Sequence, residues 1–225
     1  MHGGGGKELG DRHAWEASEV PPRGKLITLE GLDGSGKTTL AAGLAAAFPA
    51  LTLLREPGGV ALAERVRALV TDPALEVDPR AEALLYAAAR AQLVAEKLRP
   101  LLAGGQDVLL DRFLDSSLAY QGAARGLGVG EIRAINAFAT GDLVPDRTLL
   151  LRVDVATGRR RQAGRTGAPD RLEREPEAFF AAVGAAYDAL AAAEPDRIVV
   201  LDASAIPAAV LAGARRAVGA VLTDR

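Results

Sequence analysis

The sequence predicts an α/β fold: a five-stranded parallel, doubly wound sheet with helices on both faces. Short apolar runs over 25–30, 51–54, 107–110, 148–153 and 197–201 have the length and continuous hydrophobicity of strands buried on both sides. Helical runs over 37–48, 61–71, 80–103, 130–140, 157–162, 176–193 and 207–222 separate them, and each such crossover returns the chain to a parallel strand. The size agrees: 225 residues, 49% hydrophobic and 25% charged, suit one domain with a substantial core.

Residues 1–23 are polar, glycine-rich and aperiodic and end at Pro21-Pro22-Arg23. They are expected to form a flexible tail ahead of a domain over 24–225. They lack the apolar stretch of a secretory signal, and an over-long start or added residues would read the same way. The first strand, KLITLE, runs into Gly31-Leu32-Asp33-Gly34-Ser35-Gly36-Lys37-Thr38-Thr39, and an alanine- and leucine-rich helix follows. Gly31, Gly36, Lys37 and Thr38 match G-x-x-x-x-G-K-[ST] in the strand, loop, helix context that a phosphate-binding loop requires. Glycines let backbone N–H groups turn inward around an anion with no Cβ in the way. The helix adds its positive N-terminal end. Lys37 is placed to reach the outer phosphates, and Thr38 to offer its hydroxyl to Mg²⁺.

Ligands of a doubly wound sheet sit outside the carboxyl ends of its strands, so the residues after each strand are the candidates. Asp33 lies inside the anion-binding loop, where a carboxylate is unfavourable unless it faces a sugar hydroxyl, an arginine or solvent. Arg55-Glu56-Pro57-Gly58-Gly59 follows the second strand; it is either an ordinary strand-to-helix turn or, beside a phosphate loop, an anion-binding edge at Arg55. Asp111-Arg112-Phe113 follows the third. Asp111 is the expected metal-side carboxylate and Arg112 a bidentate phosphate clamp, with a surface ion pair as the plainer alternative. Tyr86 and Arg90 are four apart on one helix face, which suits a flat heterocycle stacked on the ring and bonded along its edge; core packing is the commoner use of such a tyrosine. Ser116, Ser117, Tyr120 and Gln121 add small polar groups after the Asp111-Arg112 corner. The segment 158–171 is dense in arginine with glycine hinges. Such a run is a solvated or nucleic-acid-binding face, or, beside a triphosphate site, a lid that closes on phosphates.

Composition narrows the chemistry. Net charge is −2, so no global field draws the chain to nucleic acid or membranes, and no apolar run approaches the length of a membrane span. There is no cysteine, which excludes disulfides and thiolate metal sites and makes the cytoplasm the expected location. The two histidines, His2 and His13, lie in the tail, which argues against histidine base catalysis. Carboxylates, arginines, Lys37 and a metal ion remain.

Together the segments GLDGSGKTT (31–39), REPGG (55–59), YAAAR (86–90) with Gln92, DRF (111–113), SSLAYQG (116–122) and RRRQAGRTGAPDRLE (159–173) resemble the thymidylate kinase family of nucleoside monophosphate kinases, in the family's order over about 25–220. The resemblance implies a P-loop kinase fold with a mobile lid over about 158–173, and Mg²⁺- and ATP-dependent phosphorylation of dTMP to dTDP. It implies that Gly31, Gly34, Ser35, Gly36, Lys37, Thr38 and Thr39 hold ATP, and that Asp33 faces the dTMP sugar. Arg55 and Arg112 would bind the acceptor phosphate, Tyr86 would stack on thymine, and Arg90, Ser116 and Gln121 would address the base edges or nearby groups. Tyr120 would sit near the ribose 2′ position, with Thr38 and Asp111 on the metal. Gly34 stands where some members carry an arginine, so the transition-state cation is expected from the lid, at Arg161 or Arg165, with Arg171 as a third candidate. A homodimer is implied as well. Tyr86 replaces the usual phenylalanine, Val60 a common threonine and Ala89 a common aspartate. The rival readings are another nucleotide or nucleoside kinase of this architecture, separated by a panel of acceptors, and a regulatory or nucleic-acid-binding NTPase, against which the net charge of −2 argues.

Overall fold

The structure is a computed structural model and describes residues 22–164 and 168–224. Strands β1 (Leu26–Gly31), β2 (Thr52–Arg55), β3 (Val108–Asp111), β4 (Arg147–Arg152) and β5 (Ile198–Asp202) form one parallel sheet in the order β2-β3-β1-β4-β5. Each expected strand is present, displaced by one residue. The apolar pattern does not mark where pairing begins: the Lys25 N–H goes to Asp107 Oδ1 (2.9 Å) and the Leu26 N–H to Asp146 Oδ2 (2.7 Å) instead of to a neighbouring strand. At the other end, Gly31 and Asp111, first assigned to loops, still pair with Leu151 and Arg55.

The helices are α1 (Lys37–Ala47), α2 (Ala61–Thr71), α3 (Pro79–Leu93), α4 (Arg99–Ala103), α5 (Leu114–Ser117), α6 (Val129–Thr140), α7 (Val155–Ala163), α8 (Glu177–Ala193) and α9 (Pro207–Thr223). Side chains alternate across the strands, so each face of the sheet builds its own core. Ile27, Leu29, Leu109, Leu149 and Leu201 pack with Leu40 and Leu44 of α1 and Val218 of α9. Leu26, Val108, Leu110 and Leu150 pack on the opposite face with Leu93, Leu118 and Val183. Glu30 shares the alternation of Leu26 and Thr28, and so points to this second face.

Local sequence explains the helix ends. Asp78 caps α3 by accepting the Arg80 N–H (2.8 Å), with Pro79 in the first helical position. The helix expected over 80–103 is α3, a π-helical stretch Val94–Leu98 and α4. Pro100 has no N–H and its ring crowds the carbonyl four residues back; the widened turn before it accommodates that conflict. A second π-helical stretch, Leu118–Ala124, and α5 were not expected as helix; both carry the SSLAYQG residues. α7 starts at Val155 because Asp154 accepts the Thr157 N–H (2.8 Å), so Gly158 lies inside a helix and is not a hinge. Of the expected tail 1–23, residues 1–21 lie outside the described residues, whereas Arg23 pairs with Asp146 (3.0 Å) and the Gly24 N–H bonds Leu102 O (2.8 Å).

Candidate active site

The site begins at the carboxyl end of β1. Gly31, Gly34 and Gly36 have φ of 136°, 78° and 98°, the left-handed region that disfavours a side chain. Space excludes one at Gly34 too: a Cβ there would lie 2.1 Å from Gly158 O of α7. The phosphate loop and the start of the arginine-rich segment therefore touch backbone to backbone. α1 starts directly after the loop and carries no acidic residue in its first turn, which leaves its positive end open to an anion. Lys37 is 8% exposed and donates to Gly31 O and Leu32 O (both 3.0 Å). Burial, then the nearby Arg112 charge, lowers its ammonium to about 8, leaving it mostly protonated at neutral pH.

The corner after β3 faces this loop. Arg112 has a φ of 68° and its N–H bonds Leu29 O (2.9 Å). Its Nη2 pairs with Asp33 Oδ1 (2.7 Å), its Nη1 donates to Ser116 Oγ (3.0 Å), and its guanidinium carbon lies 5.3 Å from the Tyr120 ring centroid. Of the partners envisaged for Asp33, the arginine is present. Asp111 presents a buried Oδ1 with no hydrogen-bond partner. No cluster of three His, Cys, Asp or Glu that could hold a metal occurs among the described residues. A single buried carboxylate oxygen is compatible with Mg²⁺, which takes one or two protein oxygens and fills its octahedron with phosphate and water.

One pocket adjoins the corner. Asp33, Tyr86, Arg90, Arg112, Ser116, Tyr120 and Gln121 all line it; Arg55 alone among the expected acceptor-side residues does not. Arg55 is half exposed and held by Glu64 (2.8 Å) and Pro57 O (2.9 Å). Burial raises the phenols of Tyr86 and Tyr120, keeping both neutral, and the Tyr120 hydroxyl is buried without a partner. Arg90 is 2% exposed and is held entirely by the protein: it donates to Glu56 Oε2 (2.8 Å), Ser117 Oγ (2.9 Å), Phe113 O (2.9 Å) and Asn136 Oδ1, and its Nη2 lies 2.7 Å from the same Glu56 oxygen. It forms part of the pocket wall.

The arginines of the expected lid divide between two sides. Arg161 donates to Ala203 O (2.8 Å) and lines a second cavity with Gly36 and Thr39, between α1 and the β5–α9 connection. Arg171 reaches Glu82 and Val70 O (3.0 Å) on the side of the first pocket. Arg159 lies over the Phe180 ring (5.2 Å) and Arg160 bonds Thr157 Oγ1 (3.0 Å). Arg165 lies outside the described residues.

Three buried carboxylates that hold residues of the site escaped the sequence reading. Glu56 holds Arg90. Glu82, fully buried, accepts from Gln121 (2.8 Å), Arg125 (3.1 Å) and Arg171. Glu30 closes β1 against the corner. The available signals were spacing and context: Glu82 stands one turn before Tyr86 on the same face, and Glu30 is an acid in an otherwise largely apolar strand. Tyr187 of α8, bonded to Glu30 (2.8 Å), had no local signal.

A phosphate loop feeding one cavity, an adjoining polar pocket and an arginine segment between them define a phosphate-loop nucleotide kinase. The family described as Thymidylate kinase matches residues 29–212. A thymidylate kinase of Deinococcus radiodurans is 53% identical over 186 residues, covering 81% of this chain and 90% of that protein. One of Lactobacillus delbrueckii subsp. bulgaricus is 48% identical over 189 residues, covering 81% and 89%. The crystal structure of thymidylate kinase from Ehrlichia chaffeensis superposes with a TM-score of 0.69 at 30% identity, over 88% of this chain and 99% of that one. The chain belongs to the thymidylate kinase family.

Proposed function

We propose a division of labour for this nucleoside monophosphate kinase, which phosphorylates dTMP to dTDP. ATP occupies the phosphate loop and the cavity between α1 and the β5–α9 connection; dTMP occupies the pocket between α3 and the Asp111-Arg112 corner. What supports this is the convergence of seven side chains, from the loop, α3, the corner and the π-helical stretch, on one pocket beside the loop.

The acceptor needs no general base, because a phosphate monoester with a second pKa of about 6 is mostly dianionic at neutral pH. The task is to bring two anions together in line. Arg112, oriented by Asp33 and Ser116, clamps the acceptor phosphate. Lys37 leaves its loop carbonyls for the outer phosphates of ATP. Mg²⁺ on Thr38 and Asp111 would supply further neutralisation of the triphosphate. Tyr86 stacks on the base, the Tyr120 hydroxyl meets the sugar, and Arg161 or Arg165 brings positive charge to the transferring group as the lid closes. Arg55 joins the acceptor phosphate only by exchanging Glu64 for it.

An apolar face of α3 and α6, with Leu84 56% and Phe138 93% exposed, supports a homodimer. The lack of cysteine supports a cytoplasmic location; among the described residues no helix is long and apolar enough to cross a membrane. Coupled ADP release over a panel of nucleoside monophosphates tests the assignment. dTMP is expected to be preferred over UMP, CMP, AMP and GMP in a Mg²⁺-dependent reaction; equal activity on UMP or AMP contradicts it.

A further inference from the structure

We infer that Glu30 is a positioning residue for Arg112 and ties the corner after β3 to Tyr187 of α8, the helix that follows the lid. The inference rests on the reading of Arg112 as the acceptor-phosphate clamp.

Glu30 is fully buried. Its Oε1 accepts the backbone N–H groups of Phe113 (2.8 Å) and Ser116 (3.2 Å). Its Oε2 accepts the hydroxyls of Ser116 (2.6 Å) and Tyr187 (2.8 Å). All four donors are neutral, and among the described residues no cation pairs with the carboxylate directly. Its charge acts instead through Ser116. A serine hydroxyl has one proton. Given to Glu30, that proton leaves the Ser116 lone pairs for Arg112 Nη1 at 3.0 Å. Asp33 holds the other arm of the same guanidinium. Arg112 is thus fixed from two sides, one of them relayed by a hydroxyl whose direction the carboxylate sets. The Tyr187 hydroxyl also lies 3.0 Å from Ser116 Oγ, so a shift of α8 is felt at the same serine.

A merely structural role is the competing account, because Glu30 also caps the short helix α5. Four charged or titratable groups besides Tyr187 face it: Asp115 on α5, Arg112 at the corner, Lys37 on α1 and Tyr120 on the π-helical stretch. Burial first, and Asp115 second, raise the carboxyl to about 7. The ionised form makes these bonds, so the positioning is complete above that pH and lost as the carboxyl protonates on acidification.

The test is a double-mutant cycle read by kcat/KM for dTMP. Glu30→Gln adds an amide donor that competes for Ser116, and is expected to lower kcat/KM roughly tenfold, partly through KM, with the KM for ATP unchanged. In an Arg112→Ala background it should cause no further loss. The same loss in both backgrounds overturns the inference. If Arg112→Ala itself leaves dTMP kinetics unchanged, the clamp reading fails first. Tyr187→Phe keeps the ring and removes one donor to the ionised form, so it should move the acid limb of kcat/KM to higher pH. Glu30→Gln should leave only the limb of the dTMP phosphate, near pH ~6. If Tyr187→Phe moves neither the acid limb nor the dTMP KM, the relay through α8 is wrong, whether or not Glu30→Gln folds.

Discussion

The two halves of the site are built by different means. The proposed ATP side is mostly backbone: three left-handed glycines and the open end of α1, with one lysine. The proposed dTMP side is side chains locked in buried or part-buried ion pairs: Arg90 with Glu56, Arg112 with Asp33, and Arg125 and Arg171 with Glu82. A triphosphate is the same in every such reaction and can be held by N–H groups that no substitution alters. A particular nucleoside has to be selected, and selection requires side chains held still. The difference teaches where damage falls. Changes on the acceptor side should weaken the fold together with dTMP binding, whereas changes on the donor side should remove turnover from an intact protein.

The largest effect expected on the acceptor side is at Arg90. Arg90→Ala leaves Glu56 buried without its cation and should lower unfolding free energy by about 3–5 kcal/mol in chemical denaturation. A loss under about 1 kcal/mol would mean that this half is not held by its ion pairs. Next come the lid arginines. Alanine at Arg161 or at Arg165 should lower kcat by roughly 10²–10³-fold, about 3–4 kcal/mol, at nearly constant dTMP affinity. Arg171, bound to Glu82 beside the acceptor pocket, should instead act mainly on the dTMP KM. Normal kcat in both the Arg161 and Arg165 variants moves the transition-state charge to Arg112 or the metal.

Gly34→Ala is a smaller probe of the donor side. Its Cβ meets Gly158 O at 2.1 Å, and the left-handed φ adds about 1–2 kcal/mol of strain, so α7 must move off the loop. Turnover should fall at least tenfold (about 1.4 kcal/mol) while dTMP binding, measured by calorimetry, stays as it was. Unchanged turnover shows that the lid need not rest on the loop. The smallest effect is expected from deleting residues 1–21, whose composition offers little apolar surface to bury. Activity and Tm should not change; a large loss of either shows that this segment docks on the domain.

The same contrast governs what could be read from the chain. The donor side was legible because its chemistry is local: Gly31 to Thr39 are consecutive, and their order encodes both turn and helix start. The strands were legible from continuous hydrophobicity, to within one residue, since side-chain partners such as Asp107 and Asp146 decide where a ladder starts. On the acceptor side the residues exposed to the pocket were found, and those that hold them were not. Glu56, Glu82 and Tyr187 matter through partners 34, 39 and 157 positions away, and local spacing, which marks only Glu82's helix face, does not identify those partners. Arg90 lines the pocket, as its helix face suggests, but its four partners, Glu56, Phe113, Ser117 and Asn136, were not visible in the sequence. The π-helical stretch under Tyr120 and Gln121 has no sequence period of its own.

Lys37→Ala tests the division of the site most directly. Lys37 lies on the donor side, 3.9 Å from Asp33, at the edge of the acceptor pocket. Turnover and dTMP binding should be measured on the same preparation, with calorimetry for binding and the melting curve as a check on the fold. The account predicts that turnover falls by several kcal/mol in the transition state, on the order of 10³-fold or more, while dTMP affinity and Tm stay near wild type. A variant that keeps half the rate, or one that loses dTMP binding along with turnover, contradicts it.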